Sequence, residues 1–213
     1  MRANVYVDGF NLYFGLKYYE ERFHRSHKWL DIGTLCRRER PGDQIGRIRY
    51  FTARVRPRSN NPGQASRQEI YLRALRTIPH LSIHLGQFLE SYPRMMLRNP
   101  PASGSAFVEV VKMEEKGSAV NIATHLLCDA FANDYDLAIL ISNDSDLVLP
   151  IEVVRTQFKK QVIVLYAGQR FSNALRRVAD SYSPISEQAL ASCQFPTAIR
   201  DAQGRSIFKP QSW

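Results

Sequence analysis

Apolar residues along this chain fall into two spacings that take turns. Short runs rich in Val, Ile, Leu and aromatic residues predict strands over Asn4–Phe10, Ile45–Val55, Leu81–Leu89, Phe107–Met113, Tyr135–Ser142 and Gln161–Tyr166. Between them, apolar residues three and four apart predict helices over Leu12–Phe23, Ala65–Thr77, Gly117–Phe131, Leu149–Phe158 and Asn173–Ala179. Asp31 is placed to cap a further helix through Leu35. Arg56–Gln64 and Ser91–Ser105 are rich in Pro, Gly, Ser, Asn or Arg and predict loops, the second a mobile one. Beyond about Ser183 the periodicity is lost. The tail Ile199–Trp213 is open to three readings: a docking tail, a strap over substrate, or a disordered end.

Strands alternating with helices, the strands rich in Val and Ile, predict an α/β fold with a doubly wound, mainly parallel sheet in three Rossmann-like layers. A single domain over residues 1–182 is expected, with 183–213 as a C-terminal extension. A length of 213 residues, 44% of them hydrophobic, is enough to bury the core of one such domain. No apolar run reaches the roughly 18 residues of a membrane span. A charge at Asp8 interrupts any apolar signal core, so a cytoplasmic protein without a membrane partner is expected. Cys36, Cys128 and Cys193 are odd in number and far apart, which argues against a disulfide framework or a zinc site. The net charge of +9 favours encounter with a polyanion, nucleic acid first among them.

Two acidic clusters fall at predicted strand ends, where open α/β sheets bind ligands. Asp8 closes the first strand, and Asp144 and Asp146 follow the strand that ends at Ser142. Each Asp has an ordinary use as a helix N-cap. Carboxylates from separate strand ends also suit a hard divalent cation, Mg²⁺ or Mn²⁺, which would activate water against a phosphodiester. The second junction, with Asp146 and Asn11 added, tips the balance modestly toward a metal site.

Three segments carry a family resemblance. Val5-Tyr6-Val7-Asp8-Gly9-Phe10-Asn11-Leu12 resembles the opening motif of the NYN domain, a branch of the PIN-like nucleases. Glu115-Lys116-Gly117-Ser118-Ala119-Val120, followed by Ala123-Thr124-His125-Leu126-Leu127, resembles the second motif, and Ile141-Ser142-Asn143-Asp144-Ser145-Asp146 the third. They stand in family order over roughly residues 2 to 180. The resemblance implies a Mg²⁺- or Mn²⁺-dependent endoribonuclease, with a toxin or defence effector among the roles it allows and RNA as partner; a homodimer or partner protein is left open. It further implies Asp8, Asp144 and Asp146 as metal-facing carboxylates, Asn11 as their orienter or a phosphate contact, and Ser142 and Asn143 as supports.

One position departs from the family pattern. Ala119 stands where Asp is usual, and Ala can neither ligate a metal nor orient water. Three explanations compete: a chain altered to silence a nuclease, a natural pseudo-enzyme that binds RNA without cutting, or replacement by Glu114, Glu115 or Asp129. The intact surrounding motif favours the first. A non-catalytic RNA-binding or regulatory module is thus the alternative to the enzyme. His125, six residues on, is read as a packed residue rather than a base.

For holding RNA, Lys116 and Gly117 stand at a predicted helix start, a natural phosphate seat. Arg54, Arg56 and Arg58 run from a strand into a loop, and Arg94 and Arg98 flank another loop with Tyr92, a mixture suited to single strands. Solvated loop arginines are a nearly equal reading. Arg67, Arg73 and Arg76 on one helix would extend the path, whereas Arg37, Arg38 and Arg40 read as a solvated helix end.

Overall fold

A computed structural model describes residues 1–57, 59, 61–169, 171–211 and 213. Its centre is a sheet of six parallel strands: β1 (Arg2–Asp8), β2 (Gln44–Thr52), β3 (Leu81–Leu85), β8 (Leu137–Ile141), β9 (Gln161–Tyr166) and β10 (Ser181–Pro184). Across the sheet they run β10-β9-β8-β1-β2-β3. The chain therefore builds outward from β1 in one direction, crosses back, and builds outward in the other. This is the doubly wound arrangement that the strand–helix alternation predicts, and it reverses between β1 and β8.

Side-chain alternation along the strands splits the core in two. Val5 and Val7 of β1, with Ile139 and Ile141 of β8, face α1 (Gly9–Phe23), α2 (Ile32–Glu39) and α3 (Gln64–Leu75). Tyr6, Ala138, Leu140, Val162 and Val164 face α4 (Ser118–Phe131), α5 (Val148–Thr156) and α6 (Asn173–Val178). Burial on both faces explains why the strands read as continuous apolar runs. Asp31 does cap α2, its Oδ1 accepting from the Thr34 amide at 3.0 Å. Among the described residues no helix is long and apolar enough to cross a membrane. All three cysteines are free.

The expected strands over Leu81–Leu89 and Phe107–Met113 each divide in two, and part of the expected loop at Ser91–Ser105 is strand. β4 (Gln87–Ser91) and β5 (Arg94–Met96) pair antiparallel with β7 (Lys112–Lys116) and β6 (Phe107–Glu109). The result is one long hairpin outside the main sheet, interrupted at Tyr92–Pro93 opposite Val110–Val111. Pro93 has no N–H to give the ladder, although its carbonyl accepts from Val110 at 3.1 Å. The Pro, Arg, Gly and Ser around Arg94–Met96 hide this strand from a composition reading.

The C-terminal segment is docked rather than disordered. β10 runs through residues 182 and 183, where a domain boundary was expected. Ile185, Leu190 and Cys193, the last two on α7 (Glu187–Ser192) and just after it, join the core beside α1–α3. Thereafter β11 (Ala198–Arg200) and β12 (Ser206–Phe208) form a hairpin whose second strand packs on α3. Trp213 lies edge-on to Trp29 and Tyr71, with ring centroids at 6.4 and 5.4 Å. Ile207 is 2% exposed. Replacing it with Ala is expected to cost about 2–4 kcal/mol of stability. A urea midpoint left unchanged would show that the hairpin does not hold the fold.

Candidate active site at the switch point of the sheet

Parallel register brings two acidic residues together where the strand order reverses. Val7 pairs with Ile141 across β1 and β8, so the next residues, Asp8 and Ser142, emerge side by side. The Ser142 hydroxyl donates to Asp8 Oδ2 at 3.1 Å, and accepts from the Asp144 amide at 3.1 Å. One serine thus links the two carboxylate residues. Asp8 Oδ1 accepts from the Asn11 amide at 3.0 Å and caps α1; Asp144 caps the short 3-10 turn Ser145–Leu147, accepting from the Asp146 amide at 3.1 Å. Each Asp therefore caps a helical turn while its residue is also tied to the other through Ser142. Gly9 allows the sharp entry into α1: a Cβ there would lie 2.7 Å from the Tyr50 ring and 2.8 Å from the Phe51 carbonyl oxygen.

Asn11 extends the network. Its side-chain oxygen accepts from the Asn143 amide at 3.0 Å. Asn143 Oδ1 in turn accepts from the Tyr182 hydroxyl at 2.7 Å, and that hydroxyl accepts from the Ser172 amide at 2.9 Å. Tyr182 on β10 is thereby a support of the site that sequence reasoning missed; a Tyr forty residues from the motif gives no local signal.

Asp8 is 7% exposed, and burial pushes its carboxyl up to about 6. The like charges of Asp144 and Glu115 add to the rise, while the Asn11 amide and Ser142 hydroxyl oppose it. Of the three acidic residues weighed as replacements at Ala119, Glu115 is thus the one whose charge Asp8 feels. Its Oε1 accepts from the Ser118 amide at 3.2 Å and hydroxyl at 2.8 Å. Glu114 pairs with Lys112 at 2.9 Å and Lys116 at 3.6 Å. Asp129 is taken by Arg49 through two hydrogen bonds and by the Tyr6 hydroxyl, in the other half of the core. Ala119 lies in the first turn of α4, a helix that packs against β1 and the turn after β8.

The donor set decides what kind of metal would fit. Among the described residues, no three His, Cys, Asp or Glu side chains converge into a cage. What the switch point offers is oxygen chemistry: the pair Asp8 and Asp144, with Glu115 nearby. That fits Mg²⁺ or Mn²⁺ held through one or two carboxylates, water and a substrate phosphate, not a closed structural site. Asp146 is exposed and enters the network through its backbone amide.

The basic residues expected to hold RNA stand on several elements. Arg56 lines a cavity that also reaches Phe10 and Glu115, next to the switch point. Arg54 pairs with Glu69 at 3.5 Å. Arg94 on β5 and Arg98 in the hairpin turn are exposed, and no described hydrogen bond or ion pair joins them to the acidic pair. Arg58 lies outside the described residues. Lys116 ends β7, and Gly117 turns into α4 at φ +103°, a left-handed conformation that favours glycine. The start of α4 already carries the Glu115 carboxylate on the Ser118 amide, so the phosphate seat expected there has an acidic occupant. His125 packs at a tilt against His84 and Phe51, at 4.3 and 5.7 Å between ring centroids. Burial holds the His125 ring below its ordinary pKa, as befits a packed residue.

The model of the NYN domain matches residues 2–186, most of the chain. The chain belongs to the NYN domain family. Membership places it with the nuclease-like, PIN-like proteins, in agreement with the six-stranded sheet. The NYN chain is also 28% identical to 6-hydroxy-3-succinoylpyridine 3-monooxygenase of Pseudomonas putida, over all of this chain and 75% of that enzyme. A crystal structure of a protein of unknown function from Vibrio parahaemolyticus shares the fold of the NYN chain. Its TM-score is 0.54 at 19% identity, covering 87% of this chain and 93% of the other.

Proposed function

We propose that this chain is a divalent-metal-dependent phosphodiesterase acting on RNA, with Asp8 and Asp144 facing the metal and Asn11 and Asp146 in support. The observation that carries this reading is the link from Asp8 through Ser142 to Asp144 at the point where the sheet reverses. A bound Mg²⁺ or Mn²⁺ would supply Lewis-acid stabilisation of the phosphate oxygens and a more acidic water. The chain's own residues do the positioning. Ser142 fixes the rotamer of Asp8, and Asn11 and Tyr182 hold the loop that carries Asp144. Ala119 leaves the site one carboxylate short of the family pattern, so cleavage is expected to be slow, and RNA binding without cleavage is the alternative.

A second reading comes from the Pseudomonas putida relative, whose name describes oxygenation of a substituted pyridine. Transferred to this chain, it makes the acidic switch point part of a site for a small heteroaromatic acid. One experiment separates the readings. The protein is incubated with single-stranded RNA in Mg²⁺, Mn²⁺ or EDTA, and separately with 6-hydroxy-3-succinoylpyridine, dioxygen and a reduced nicotinamide. Metal-dependent RNA fragments support the first reading. Consumption of the pyridine, with RNA left intact by the Ala119→Asp variant as well, supports the second and refutes the first.

A further inference from the structure

Beside the acidic pair, between α1 and α3, lie two adjoining cavities that share Phe10, Tyr13, Val55 and Gln64 as walls. The inner one, about 100 Å³, has Leu12, Leu16, Tyr50, Tyr71 and Trp213 around it and is mostly apolar. The outer one, about 550 Å³, is bounded by Phe14, Phe88 and Met113 and by two cations, Lys17 and Arg56. Phe10 and Phe88 meet edge to face at 5.2 Å across it.

From this arrangement we infer that the double cavity is a binding site for a planar heteroaromatic ring bearing an anionic group, the ring inside and the anion at Lys17 and Arg56. The inference rests on neither reaction proposed above, because such a ligand is either a nucleotide or a free heteroaromatic acid.

Each part of the ligand has a matching part of the site. An apolar cavity of about 150 Å³ is enough to take up benzene, and the inner chamber with its opening is on that scale. Its rim of aromatic rings suits edge and face contacts with a flat ring. The Tyr50 hydroxyl sits against Gly9, one residue from Asp8. Tyr50 is 5% exposed, and burial and the Asp8 charge push its hydroxyl pKa up, so it stays a neutral phenol able to pair with a ring nitrogen or oxo group. The cations of the inner chamber, Lys28 and Arg67, are already engaged: Lys28 pairs with Glu20 at 2.5 Å and lies 5.7 Å from the centre of the Tyr13 ring, and Arg67 donates to the Asn61 side-chain oxygen. The outer cations are held more loosely, Lys17 by Glu21 and Arg56 by Glu90, each at 3.7 Å and exposed. Such pairs contribute little and exchange readily for a ligand anion. Glu115 is the acidic member of the outer wall, and its carboxylate is engaged by Ser118.

The test is calorimetric titration of the metal-free protein with nicotinate, uridine 5′-monophosphate and cyclohexanecarboxylate. Nicotinate or the nucleotide should bind, and cyclohexanecarboxylate should bind at least about tenfold more weakly. Nicotinate alone identifies a free acid as the source, and the nucleotide alone identifies nucleic acid. Val55→Trp fills the shared wall and should abolish binding. Lys17→Ala, an exposed change that leaves the fold alone, should weaken it about tenfold. Unfolding midpoints confirm that both variants are intact. Failure of every ring-bearing probe to bind would overturn the inference. Equal affinity for cyclohexanecarboxylate, or binding untouched in both folded variants, would overturn it too. None of these outcomes depends on RNA cleavage.

Discussion

Replacing Ala119 with Asp is expected to raise metal-dependent RNA cleavage about 100-fold or more, the order that a carboxylate stabilising a metal-bound transition state supplies. Position 119 is in the first turn of α4, which packs on β1 and on the turn that follows β8. A new carboxylate there stands at the positive end of a helix, where negative charge is favoured. The competing account is that Glu115 already fills the gap, since its charge reaches Asp8. The two accounts part in the Glu115→Gln variant, which keeps an acceptor for Ser118 but removes the charge. If Glu115 serves, the unaltered chain cuts RNA and Glu115→Gln loses that activity. If position 119 is the missing ligand, the unaltered chain is nearly silent and Ala119→Asp cuts. An Ala119→Asp protein that binds RNA and leaves it whole in both Mg²⁺ and Mn²⁺ establishes the non-catalytic module instead.

Most of the sheet was legible because its strands are buried on both faces and its helices on one. Tyr135–Ser142 and Gln161–Tyr166 read as strands from apolar density alone, and Leu12–Phe23 as a helix from its spacing. Local pattern failed where partnership decides structure. Leu81–Leu89 is one apolar run, yet Gly86 divides it between the central sheet and the hairpin arm. Nothing within Arg94–Met96 announces that Phe107–Glu109 will pair with it. The tail shows no period because its contribution is a few isolated anchors, Ile207 and Trp213, each fitted to a distant aromatic or apolar wall. At the candidate site, the motifs named Asp8, Asn11, Asp144 and Asp146, which the fold joins in one hydrogen-bond network, but not how each is held. Register sets Asp8 beside Ser142; burial, which no spacing reveals, makes Asp8 the perturbed carboxylate. For the arginines, charge in a sequence has no direction until the chain is folded, and of those named Arg56 is the one that lines the cavity beside Phe10 and Glu115.

Changing Asp8 to Asn should separate the cost of the site from its use. The Asp8 carboxyl titrates near 6 in the fold and has an ordinary value of 3.8. The folded state therefore holds this proton more tightly than the unfolded chain does. The group's contribution to stability is full below about pH 4, falls as pH rises toward 6, and above that remains as a penalty for the ionised form. Asn carries no such charge and keeps an oxygen for the Asn11 amide. In EDTA at pH 8, Asp8→Asn is expected to be more stable than the unaltered chain by about 1–3 kcal/mol. At pH 4 the two should differ little, and the comparison cancels the other carboxylates that titrate in this range. Adding Mg²⁺ should raise the urea midpoint of the unaltered chain, because a ligand that binds only the folded state stabilises it. The variant should not respond. In the Ala119→Asp background, Asp8→Asn should also lower RNA cleavage by about 100-fold or more. A variant that is less stable at pH 8 would mean that Asp8 is chiefly a helix cap. One that is more stable but still responds to Mg²⁺ would move the metal to Asp144 without Asp8. Gain of stability together with loss of the metal response is the pattern of a buried charge kept at the fold's expense for the sake of a cation.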